Sequence, residues 1–177
     1  DEDRIEKRVK AASEISDMTI VNVHWGEEYT HTPTDRQHEL AQKLADWGAD
    51  IIIGTHPHVI QPVEYVTAAD GRKVLVIYSL GNFISAQDRG PRMLGGMMHI
   101  TVTKDYRKNT TEVTKAKFTG TVTHYDSGLS NVRVYNLADY TDALASRHGV
   151  RPTTPPFNLD YPNPMLRIGV SEECLEG

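Results

Sequence analysis

Three histidines carry the most chemistry in this sequence. His24 directly follows an apolar, β-branched run, Met18 to Val23, and His56 and His58 follow a second such run in Gly54-Thr55-His56-Pro57-His58. Imidazole is the commonest metal-ligating side chain at physiological pH. Two imidazoles one residue apart can approach one metal, or two neighbouring metals, from a single loop. Pro57 stiffens that loop, and Gly54 permits a tight exit from the preceding strand. A lone histidine after a strand is usually a surface or hydrogen-bonded residue, so it is the meeting of three that points to a metal. His31, His38, His99, His124 and His148 show no such convergence and are expected to be structural or solvated.

The elements needed to bring the three together are legible around them. Met18 to Val23 and Ile51 to Ile53 read as buried strands. Between them, Thr34-Asp35-Arg36-Gln37 matches a capping box, Leu40, Ala41, Leu44 and Trp47 form an apolar stripe, and Gly48 is a plausible stop. Strand, helix and strand in so short a span form a βαβ unit with parallel strands. All three histidines then emerge at the C-terminal edge of the sheet, where open α/β sheets place their ligands.

Upstream, Asp1 to Ser16 predicts an amphipathic helix with Ile5, Val9, Ala12 and Ile15 near one face. A chain that opens directly on such a helix, with no leader, is expected to be processed or truncated. Downstream, Val63–Thr67 and Val74–Ser79 flank the hairpin signal Asp70-Gly71. Strand-like runs continue at Met97–Thr103 and Val113–His124, so this middle portion is expected to be antiparallel. Asn136 to His148 predicts a short helix, with Leu137, Tyr140 and Leu144 on one side. Arg151 to Pro164 contains five prolines and predicts an extended surface segment.

The 177 residues are enough to bury a core. With 24 acidic against 19 basic residues and no block of like charge, nothing points to nucleic acid or an anionic membrane as partner. The single cysteine, Cys174, excludes an internal disulfide framework. No apolar run approaches the length of a membrane span.

The segments His24-Trp25-Gly26-Glu27-Glu28-Tyr29, Gly54-Thr55-His56-Pro57-His58-Val59 and Tyr78-Ser79-Leu80-Gly81-Asn82-Phe83 resemble the bacterial capsule-synthesis (CapA/PgsA, poly-γ-glutamate) proteins. Those proteins are similar to calcineurin-like metallophosphoesterases. The resemblance implies an α/β fold, the C-terminal portion of a calcineurin-like metallophosphoesterase β-sandwich flanked by helices. Residues 1–150 would form a partial domain and 151–177 a Pro-rich extended C-terminal segment.

The resemblance also assigns roles. His24 matches the isolated histidine ligand of the phosphoesterase pattern, and His56 and His58 match its closing paired histidines, with Thr55 as a one-residue departure from Gly-His-x-His. The segments that would supply the carboxylate ligands lie upstream in that pattern, and this chain has none. Glu28 is the candidate for acid–base work or for orienting an imidazole, ahead of its neighbour Glu27. Trp25, Tyr29 and Asn82 are the candidates for lining the site or contacting substrate.

For the complete protein, the resemblance implies two divalent metal ions (Mn, Fe, Zn or Mg), supporting hydrolysis or transfer at a phosphoester or related bond with a metal-bound water as nucleophile. The isolated chain would bind metal weakly and be inactive, because three neutral histidines provide no bridging carboxylate. The expected partners are the missing N-terminal half of the domain and a membrane-bound capsule machinery on the extracytoplasmic face, with self-association through exposed sheet edges. Two rivals stand beside this: a non-catalytic module that binds polymer or partner subunits, and a fold whose metals serve structure alone.

Overall fold

In the computed structural model, which describes residues 1–150, two β-sheets are stacked with helices against the outer face of the first. The chain is therefore a mixed α/β protein. The proline-rich segment from 151 to 177, with Cys174, lies outside the described residues.

The first helix, α1 (Glu2–Ile15), places Glu2 and Asp3 in its first turn, where carboxylates favour the helix dipole. Its apolar face is only partly used. Val9 alone is buried, while Ile5 and Ile15 are exposed, Ile15 at 88%. Glu2 anchors α1 to α2 (Asp35–Asp46) by pairing with Arg36 and with Lys43 at 2.8 Å.

The βαβ unit forms as the pattern predicts. β1 (Ile20–His24) pairs in parallel with β2 (Ile51–Thr55), with Ile20 opposite Ile51 and His24 opposite Thr55. The capping box at the start of α2 is complete: the Thr34 hydroxyl accepts from the Gln37 N–H, and the Gln37 side chain accepts from the Thr34 N–H. Gly48 follows the helix at φ +109°, a backbone that favours glycine.

β3 (Ile60–Thr67) and β4 (Lys73–Leu80) form the antiparallel hairpin around Asp70-Gly71. However, β4 also pairs in parallel with β2, giving the order β1-β2-β4-β3. This corrects the expectation that the middle portion is purely antiparallel. The physical reason lies in Val74 to Ser79, which is buried without a break and so requires cover on both faces. Conversely, among the described residues β1 is an edge strand. Its residues alternate between exposed and half-buried, so the expectation of a buried strand fails there.

The second sheet is antiparallel, in the order β5 (Leu94–Asp105), β6 (Thr110–Asp126), β7 (Ser130–Asn136). β7 has no counterpart among the strand-like runs of the sequence. The helix expected over Asn136 to His148 is shorter: a 3-10 turn at Leu137–Asp139, then α3 (Asp142–Arg147), capped by the Thr141 hydroxyl accepting from the Leu144 N–H.

Alternation along β4 divides the core. Leu75 and Ile77 join Ile60, Val63, Met93, Leu94, Phe118 and Val122 between the sheets. Val74, Val76 and Tyr78 point the other way, toward Val9, Ala41, Leu44 and Trp25. Each of these large side chains contributes roughly 1.5–3 kcal/mol on burial, which gives the histidine-bearing edge a rigid base.

Candidate metal centre

The two loops that leave β1 and β2 are bound to each other. The Trp25 N–H donates to the Thr55 carbonyl at 3.1 Å, which extends the strand pairing past His24, and the Tyr29 N–H donates to the Pro57 carbonyl at 2.7 Å. Gly54 has a role different from the one its position suggests. A Cβ there would collide with the Tyr78 carbonyl and with the Trp25 indole, so glycine is needed for close approach. Trp25 itself is 7% exposed, stacks on Tyr78 at 5.5 Å and donates its Nε1–H to the Tyr78 carbonyl at 2.9 Å. It therefore packs the loop onto the core, and presents little surface to a substrate.

Three residues at this edge have left-handed backbones: Tyr29 at φ +67°, His56 at +106° and His58 at +58°. Such conformations cost of order 1–3 kcal/mol for a non-glycine residue and persist only where the surroundings enforce them. Here the Tyr29–Pro57 bond and the buried Pro57 provide that constraint.

The side chains meet in a particular way. His24 and His56 rings lie 4.5 Å apart, and His56 and His58 rings 6.2 Å apart. The tightest group of ligand atoms, however, is Glu28, His56 and His58, all within 4.8 Å of one another. The Glu28 Oε1 stands 3.8 Å from His58 Nε2. His24 is exposed and lies beside this group, with a long contact of 3.4 Å from its Nδ1 to the Thr55 hydroxyl. Glu28, expected to act in acid–base chemistry or in orientation, is thus placed at ligand range.

Asn82 completes the arrangement from the end of β4. Its Nδ2 donates to the carbonyls of His58, at 3.1 Å, and of Arg92, at 2.9 Å. Its Oδ1 therefore faces His58 Nδ1 at 2.9 Å, and that nitrogen must carry the hydrogen. The ring is thereby fixed with its Nε2 facing Glu28. This is how a metal-ligating histidine is ordinarily held. Two imidazoles and a carboxylate at this mutual range fit a divalent ion.

Other histidines have structural partners. His31 Nδ1–H donates to the Ile60 carbonyl at 2.8 Å, His38 bonds the Tyr78 hydroxyl at 2.8 Å, and His124 bonds the Tyr140 hydroxyl at 2.7 Å. His148 is buried between the Thr123 carbonyl and the Val150 N–H. One residue at the centre escapes sequence reasoning: Arg92, whose guanidinium lies 3.4 Å over the Tyr29 ring. No local signal marks it, since it belongs to the β4–β5 connection.

The model of the bacterial capsule synthesis protein family matches residues 1–87, the stretch that holds His24, Glu28, His56, His58 and Asn82. Among capsule-synthesis relatives, the PGA biosynthesis protein CapA of Bacillus subtilis (strain 168) is 43% identical over 79 residues, covering 45% of this chain and 20% of the relative. The capsule biosynthesis protein CapA of Bacillus anthracis is 46% identical over 72 residues, 41% of this chain and 16% of the relative. An uncharacterized protein of Sinorhizobium fredii (strain NBRC 101917 / NGR234) is 34% identical over 120 residues, 64% of this chain and 24% of its own length. The aligned region thus spans about a quarter or less of these relatives.

Proposed function

We propose that this chain carries part of a divalent-metal site in a capsule or poly-γ-glutamate biosynthesis protein, within a metallophosphoesterase-like domain that acts as a metal-dependent hydrolase. The observation that carries the reading is the Glu28–His56–His58 group, with the His58 ring oriented by Asn82. Glu28, His56 and His58 would hold the ion, with His24 positioned to join it or a second ion. A bound divalent ion would polarise the scissile group and lower the pKa of water. Three protein donors leave positions for water and substrate around an ion that takes four to six ligands.

The residues of the chain have separable tasks in this reading. Asn82 orients His58, the left-handed backbones at His56 and His58 aim both rings outward from one loop, and Trp25 with Gly54 pins that loop to the sheet. The whole protein would work on the extracytoplasmic face of the bacterial membrane with the rest of the capsule machinery. No helix among the described residues is long and apolar enough to cross a membrane.

Zinc and manganese titrations of the 177-residue chain test the reading, with histidine ring signals and calorimetry as readouts. Saturable binding is expected, weaker by about tenfold or more in H58A and E28A. No binding above that of a scrambled-site control would remove the proposal. The second reading, a non-catalytic module that binds polymer or partner subunits, is favoured by Phe83 and Ile84. These are 55% and 63% exposed immediately after Asn82. Metal binding without hydrolysis of a generic phosphodiester by the whole protein would select it.

A further inference from the structure

Arg92 is tied to the candidate centre twice. Its carbonyl accepts from Asn82, the side chain that holds His58, and its guanidinium lies on Tyr29, whose ring is 6.1 Å from that of His58. The arginine side chain is only 18% exposed. Its Nη1 donates to Gln87 and to Asp88, each at 3.2 Å. The Asp88 side chain is 78% exposed, so that ion pair is loose and worth little. Among the described residues, no protein acceptor lies on Nε or Nη2.

Those two donors form the side-on edge of the guanidinium, the fork that matches two oxygens of a carboxylate or a phosphoryl group. Neither atom is buried without a partner, so solvent reaches this edge and an oxyanion can take its place. Stacking on Tyr29 sets the plane of the fork. We propose that Arg92 is the anion-recognition residue of this site, binding an oxyanion of the substrate through Nε and Nη2. The inference rests on this edge being the substrate site, and extends that reading by requiring a negatively charged substrate group. It does not depend on an ion being bound.

Dimethyl phosphate and acetate, both monoanions, are suitable probes of the two oxyanion types. Each is titrated by NMR into the 177-residue chain, with and without zinc, in wild type, R92Q and R92K. Saturable binding to wild type is expected, lowered about tenfold or more in R92Q and severalfold in R92K, which keeps the charge but not the fork. The tighter probe distinguishes a phosphoryl from a carboxylate preference. Wild type that binds neither probe overturns the inference, as does either folded variant binding as tightly as wild type. Arg92-dependent anion binding in a chain that takes no zinc would leave the inference standing and reject the metal reading instead.

Discussion

At the scale of single residues, Asn82 decides which nitrogen of His58 is available. Replacing it with Leu removes the acceptor of the Nδ1 hydrogen and the donor to two carbonyls. Metal affinity is expected to fall about 10–100-fold, measured by zinc calorimetry alongside circular dichroism to confirm the fold. His148 yields a different prediction. Burial, helped by His124 nearby, depresses its pKa from 6.5 to about 4, against the raising influence of the Thr123 carbonyl and Asp126. Its folded form is therefore neutral where the unfolded form begins to protonate. Stability is full above about pH 6.5 and falls as pH drops toward about 4, by roughly 3 kcal/mol at most. Urea midpoints across that window should show the slope, and H148Q should flatten it. Asp126 acts lower: bonds from Asn131 and Arg147 hold its carboxyl down at about 2, so its contribution is lost as pH falls from the ordinary carboxylate value of 3.8 toward that value. The histidine trio could be read from spacing because strand ends are easy to locate. That Glu28 comes within ligand range, and that Arg92 lies at this edge, could not. The left-handed turn at Tyr29 and a stack between separate loops leave no pattern in the chain.

At the scale of elements, the βαβ unit was legible from the capping box and two apolar runs, and it places the histidines. What stayed hidden was strand order. A hairpin signal at Asp70-Gly71 says that β3 and β4 pair, and says nothing of β4 inserting beside β2. β7, Ser130-Asn131-Val132-Arg133-Val134-Tyr135-Asn136, is too polar and short to stand out, being held by pairing with β6. The close packing of Trp25 on Gly54 gives the element-scale prediction. G54A should lower stability by about 1–3 kcal/mol through overpacking, and should weaken metal binding as well, since the displaced indole is the next residue after His24. Thermal unfolding and zinc titration of the same sample would show both; a change in stability with unaltered affinity would detach the loop from this packing.

At the scale of the whole molecule, the family match ends at residue 87, while the second sheet and Arg92 lie beyond it. The segment that carries the candidate ligands is thus shared with capsule-synthesis relatives, and the segment proposed to choose the substrate's charge is not part of that match. Among the described residues β1 has a neighbour on one side only, and Ile20 on it is 52% exposed. An unpaired edge of this kind invites another strand. Sedimentation velocity over a concentration series is expected to show reversible self-association; a monomer throughout would remove that proposal. The buried indole of Trp25 has one last consequence. It lies in the loop between His24 and Glu28, in a dry setting, hydrogen-bonded to the neighbouring strand. Its emission should therefore be blue-shifted, and any metal or anion that loosens or tightens that loop will register in the native fluorescence. The protein thus brings its own optical probe to every ligand titration.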